Sequence, residues 1–227
     1  MKLEKIGKNA YHIIGNNAKE LAMAFVRIQE FYESPKFSGK IFSLKEFKKW
    51  WKANPPKGIK RGRFCYANYY EGFNVPSSVI KPFLEGKFNP LSKFEKKLLK
   101  LVSGIKDKDF YLIGTRKNGK IEHLKHEIAH GLYHNPTRYQ KKVRTILRRL
   151  SPKTRIKIDR YLKGMDYHPK VLADERQAYI VAGGNDLAEA KITLDEIENV
   201  RQPLTVVYKN ALLNSMFKRV SSGLIEN

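Results

Sequence analysis

The spacing of apolar positions divides the chain into a mixed first half and a helical second half. Tyr11 to Ile14 reads as a short strand. Asn16-Asn17 then caps a helix on which Leu21, Phe25, Ile28 and Tyr32 recur at helical intervals and mark one buried face, and Ser34-Pro35 ends it. Ser43-x-x-Glu46 is a capping-box pattern at the head of a second helix, which carries Phe47, Trp50 and Trp51 and is stopped by Asn54-Pro55-Pro56. The run from Arg63 to Phe73 is rich in the Phe, Cys and Tyr residues favoured in strands and predicts one or two of them. Pro76 to Leu84 predicts a short helix, Gly86 to Pro90 a turn, and Ser92-x-x-Glu95 a capping box opening a helix to Val102. Phe110 to Thr115 predicts another strand, followed by a tight turn at Asn118-Gly119 and then a helix.

The residue before a proline is disfavoured in the helical region, so Asn135-Pro136 ends that helix. Beyond it the pattern is helical and charged: Thr137 to Leu150, Pro152 to Leu162, Pro169 to Ala182, then Leu194 to Val200 and Pro203 to Val220 as two closing helices, the last patterned by Val206, Val207, Leu212, Leu213 and Phe217. The expected fold class is α+β. Residues 1–135 would form a mixed half with a small sheet and residues 136–227 an all-helical half packed under it, the two making one compact unit.

Charge changes this picture more than overall composition does. The 227 residues carry a net charge of +23, far beyond what keeping a protein dissolved requires. From Lys36 to Arg63 ten basic residues accompany one acid, Glu46, and from Arg138 to Lys163 eleven accompany only Asp159. Phe37, Phe42, Phe47, Trp50 and Trp51 interleave with the first stretch, but at helical spacing, so they are expected to pack inward. The two stretches are expected to form a surface patch, either simply solvated or with affinity for nucleic acid or an acidic partner. No run of eighteen apolar residues is present and the N-terminus lacks the features of a secretory signal, which favours a cytoplasmic address. The single cysteine, Cys65, has no partner for an intramolecular disulfide and reads as a small core residue.

The candidate chemistry is concentrated in His126-Glu127-Ile128-Ala129-His130. Two histidines four residues apart on a helix lie about 40° apart around its axis and about 6 Å along it, a spread that one tetrahedral zinc ion accepts. Glu127 hangs beside that face, within reach of a metal-bound water as general base. A catalytic zinc usually takes three protein ligands. His134 lies about 12 Å along the helix from His126, and His123 one turn before it, so neither suits the third place. His168 sits in the loop before the next helix and suits a hydrogen-bond donor to the reaction's oxyanion better than a ligand. Glu175 is the expected third ligand, offered by a separate downstream helix on which Ala178 permits close approach, with Asp174 able to orient a histidine from behind.

His126-Glu127-Ile128-Ala129-His130 followed by Glu175-x-x-Ala178 resembles the zincin metallopeptidases and, within them, the gluzincins. The resemblance spans about Phe110 to Ala182. It implies zinc held by His126, His130 and Glu175, Glu127 as the base in peptide hydrolysis, and an oxyanion donor among His168, Tyr167 and Tyr179. It also implies that Phe110 to Thr115 is the edge strand along which a peptide substrate lies extended. Two other functions compete: a basic nucleic-acid-binding protein whose metal site is structural, and a nucleic-acid-associated zinc protease.

Overall fold

Short polar side chains set where several helices begin. In the computed structural model, which describes residues 1–213 except 57, 135–137, 166, 168 and 184, Asn17 Oδ1 accepts from the Glu20 amide at 2.9 Å and Ser43 Oγ from the Glu46 amide at 3.0 Å. At Ser92 the bond is reciprocal: Ser92 Oγ accepts from the Glu95 amide while Glu95 Oε2 accepts from the Ser92 amide at 2.7 Å, and Ser151 Oγ caps a later helix at Thr154. In chain order the described residues form β1 (Lys2–Gly7), β2 (Ala10–Gly15), α1 (Ala18–Glu33), α2 (Leu44–Ala53), β3 (Gly72–Pro76), α3 (Ser77–Leu84), α4 (Lys93–Val102), β4 (Tyr111–Arg116), α5 (Ile121–His134), α6 (Arg138–Leu147), α7 (Pro152–Gly164), α8 (Leu172–Val181) and α9 (Leu194–Leu213). The class is α+β, with one small mixed sheet. No helix among the described residues is long and apolar enough to cross a membrane.

The elements gather into two units. The first comprises Met1–Lys5 and Asn9–Gly119, the second Ile6–Lys8 and the described part of Lys120–Asn227. The chain changes unit after Gly119, so α5 belongs with the helices that follow it rather than closing the mixed half. Asn135 and Pro136, the expected boundary, lie outside the described residues.

In the first unit the sheet order is β1-β2-β4-β3, with β4 parallel to β2 and antiparallel to β3. β4 therefore lies inside the sheet, and the expectation that it is a free edge for an extended peptide is wrong: both of its backbone edges are already hydrogen-bonded. Helix α1 lies close on one sheet face. A Cβ at Gly114 would meet Phe25 Cε2 at 2.8 Å and Leu21 Cδ1 at 3.2 Å, so only glycine admits the helix at this distance. Beyond the contact, Arg27 is 1% exposed and inserts its guanidinium between elements. Its Nε and Nη2 donate to Glu95 Oε1 and Oε2 at 2.6 and 2.8 Å, and its remaining hydrogens go to the carbonyls of Phe42, Phe88 and Pro90.

The aromatics of α2 do turn inward: Phe47 and Trp51 are buried, and Trp50 is half-buried. Their packing overrides the strand propensity of residues 63–73. Tyr66 is fully buried against Phe47 and Trp51 at ring-centroid distances of 5.6 and 5.0 Å, which bends the chain into a single 3₁₀ turn, Tyr66–Asn68, and β3 begins only at Gly72. Cys65 stands just before that turn and is half-buried rather than core.

In the second unit α5 packs with α8, α8 with α7 and α9, and α6 with α9. The two closing helices expected from the sequence are one: α9 runs straight through Pro203. Proline deprives a helix of one hydrogen bond, yet Val200, Leu204, Tyr208 and Leu212 form a buried stripe at four-residue spacing that spans the interruption. Val206 is 59% exposed and Leu213 42%, so the buried face is rotated from the one anticipated; Phe217 lies outside the described residues.

Candidate metal centre

Helix α5 buries Ile128 and Ala129 completely, which fixes its rotation and presents His126 and His130 together on the neighbouring face. Helix α8 brings Glu175, 4% exposed, to those histidines, with the fully buried Ala178 one turn on. One ligand atom from each of His126, His130 and Glu175 lies within 4.8 Å of the others. His126 Nε2 is 3.0 Å from His130 Nε2, and Glu175 Oε2 is 3.7 Å from each. Tetrahedral zinc with bonds near 2.0–2.1 Å needs ligand–ligand edges of about 3.3 Å, so this triangle accepts the ion with shifts of a few tenths of an ångström. The donor set, two imidazoles and a carboxylate, is also one that zinc favours.

The surroundings orient these groups. His130 Nδ1 donates to Asp174 Oδ1 at 3.0 Å, which turns Nε2 toward the triangle. Gln177 Nε2 donates to the same Asp174 oxygen at 3.0 Å, and Tyr139 Oη on α6 donates to Gln177 Oε1 at 2.7 Å. A chain of hydrogen bonds, buried at Tyr139 and Gln177 and partly exposed at Asp174, thus runs from α6 through α8 to the histidine on α5. Gln177 and Tyr139 were not anticipated from the sequence. The three-residue spacing from Asp174 to Gln177 put both on one helix face and was a usable signal; Tyr139, 38 positions away from Gln177, left none.

Charge in the cluster is uneven. Burial holds the His126 imidazole well below the usual histidine range, reinforced by His130 and His123 beside it. Burial also works against a charge on His130, but Asp174, Glu175 and Glu127 outweigh it and raise this histidine well above the usual range. With no metal, His130 is thus the protonated partner, donating to Asp174 through Nδ1 and to His126 through Nε2. A cation that takes both Nε2 atoms displaces the proton between them. Glu127, 7% exposed, is close enough for its charge to be felt at His130.

Among the remaining candidates, Tyr179 meets His126 edge-on with ring centroids 4.8 Å apart, and burial raises its phenol well above the ordinary tyrosine range. Tyr167 hydrogen-bonds to Tyr179. His134 is exposed at the end of α5, and neither it nor His123 joins the group of converging ligand atoms. His168, expected to serve the oxyanion, lies outside the described residues. Compared with protein-family models, with curated proteins and with solved structures, the chain matches none.

Proposed function

We propose that this protein is a zinc-dependent peptidase of the zincin type, with His126, His130 and Glu175 as metal ligands and Glu127 as general base. The observation that carries this reading is the convergence of two histidine Nε2 atoms and a carboxylate oxygen from a second helix, backed by Asp174 on His130. A zinc ion bound there would lower the pKa of a coordinated water to near 7 and polarise the scissile carbonyl. Glu127 would take the water's proton and deliver it to the leaving nitrogen. Asp174 holds His130 in the orientation a ligand requires. Tyr179, whose half-buried phenol is raised well above the ordinary tyrosine range beside His126, is the hydrogen-bond donor this reading assigns to the developing oxyanion, with His168 and Tyr167 as alternatives. The substrate is a peptide or protein whose approach does not run along β4.

Metal analysis of protein purified without chelator should find about one zinc per chain, as one three-ligand site implies. Glu127→Gln should retain that zinc while peptide hydrolysis falls at least about a hundredfold. Glu175→Ala should lose zinc and His134→Ala should keep it. Failure to bind zinc even when it is supplied would end the reading, and full activity in Glu127→Gln would remove Glu127 as the base.

A further inference from the structure

We propose that the outer face of α2, together with the turn that follows it, is a docking surface for the phosphate backbone of nucleic acid. The inference is independent of the metal centre. On α2, Lys45, Lys48, Lys49 and Lys52 fall at positions i, i+3, i+4 and i+7, a spacing that sets all four on one stripe about 10 Å long. The opposite side of the helix is closed by Phe47 and Trp51, which are 0% and 3% exposed. Lys45, Lys49 and Lys52 are exposed, and Lys48 lies over the Phe64 ring with its Nζ 5.3 Å from the centroid. At the helix's C-terminal end the Gly62 amide donates to the Lys52 carbonyl at 2.9 Å. That bond returns the chain to the end of α2 at Gly62, which the exposed Arg61 and Arg63 flank in sequence. None of these six cations forms an ion pair among the described residues, and Glu46 is the one acid between Lys36 and Arg63.

Three polyanions could in principle meet such a face, and its chemistry favours one. A protein partner calls for an apolar centre with a polar rim, and lysine is depleted at such interfaces, whereas here the apolar residues are spent on the core and the face is cationic throughout. A membrane-surface helix needs an apolar side to sink between headgroups, and α2 has already buried that side within its own unit. A nucleic acid backbone asks only for a row of exposed cations. Duplex DNA carries one charge per about 1.7 Å of axis, so a stripe of this length spans several phosphates. The buried state of Phe47 and Trp51 leaves no stacking contribution from those rings, so binding should be indifferent to sequence.

The test uses the full chain and duplex DNA of two unrelated sequences, with affinity followed against salt. The wild type should bind both sequences alike and weaken steeply as salt rises. The triple variant Lys45→Gln, Lys49→Gln, Lys52→Gln, whose fold is checked by circular dichroism, should bind at least about tenfold more weakly at low salt. The slope of log affinity against log salt should fall by about one per contact removed, hence by about three. Lys141→Gln, Lys142→Gln, Arg148→Gln, an equal charge change at exposed positions of α6 and the turn that follows it, should leave the slope within about one unit. No binding by the wild type at low salt overturns the proposal, as does an unaffected α2 variant. Equal losses in both triple variants would mean that net charge, not this face, does the binding. Stronger wild-type binding to polyglutamate or to phosphatidylserine vesicles, lost in the α2 variant, would give the face to a different partner and overturn it as well.

Discussion

In the first unit the buried guanidinium of Arg27 has five donor hydrogen bonds, two to the carboxylate of Glu95 and three to backbone carbonyls, so charge and hydrogen-bonding capacity are matched within the chain. In the second unit Glu127, Asp174 and Glu175 stand beside two imidazoles that are pushed apart, His130 raised well above the usual histidine range and His126 held well below it. The first unit shows a further way of handling a buried acid. Glu30 is 7% exposed, and burial pushes its carboxyl up to about 7, opposed only by the Ser34 and Tyr66 hydroxyls. Where a buried acid serves the fold alone it is paired with a cation or held by a proton. Where a carboxylate oxygen converges with two imidazole nitrogens, as at Glu175, His126 and His130, the arrangement suits a cation from outside.

The comparison is broken most directly at Arg27. Arg27→Ala leaves Glu95 charged and buried and three carbonyls without their donor, so it should destabilise the first unit by about 3–5 kcal/mol. Both tryptophans of the chain sit on α2, so fluorescence-monitored denaturation reads this unit selectively. A change under about 1 kcal/mol would mean the pair is not structural. Glu30 should have the next largest effect. Its folded pKa of about 7 lies above the ordinary unfolded value, so the folded chain holds a proton that the unfolded chain releases. Its contribution is present below about pH 4.3 and is lost as pH rises toward 7, a decline of up to about 3 kcal/mol. Glu30→Gln should flatten that slope, and an equally steep slope in the variant would assign it to another group.

The second unit should respond through metal affinity rather than stability. Asp174→Ala should weaken zinc binding by about 10- to 100-fold. Gln177→Leu, one hydrogen bond further out, should cost up to about tenfold, and Tyr139→Phe less again. Zinc competition titrations and the visible spectrum of the cobalt-loaded protein measure these steps apart from activity. If Gln177→Leu and Tyr139→Phe bind zinc like the wild type while Asp174→Ala does not, the orienting chain stops at Asp174.

The parts of the molecule that could be read from the sequence are those specified by close neighbours. The caps at Asn17, Ser43 and Ser92, the four-residue step from His126 to His130 and the small residue at Ala178 are all local patterns, and the side chains they singled out take up the expected positions. The choice of Glu175 over His134 rested on helix geometry, and the same geometry keeps His134 out of the converging group. What failed depended on distant partners. Whether β4 is an edge depends on β2 and β3, one before α1 and the other after α2. The bend at Tyr66 is dictated by rings on α2, and the persistence of α9 through Pro203 by the buried stripe on both sides of it. β1, with Lys2, Glu4 and Lys5 among its six residues, has too little apolar alternation to reveal itself.

Gly114 gives the first unit a mechanical character. The Phe25 ring it accommodates is stacked on Phe73, with centroids 5.1 Å apart and planes 13° from parallel, so the ring has little room to swing aside. A methyl group added on β4 would therefore be relieved by displacing α1 itself, and Arg27 rides on that helix two residues beyond Phe25. The sheet thus acts as a stop against which the helix is seated, and one atom's worth of thickness at that stop is transmitted along a rigid rod to the buried guanidinium. Its bonds to Glu95, at 2.6 and 2.8 Å, leave little slack to absorb the movement.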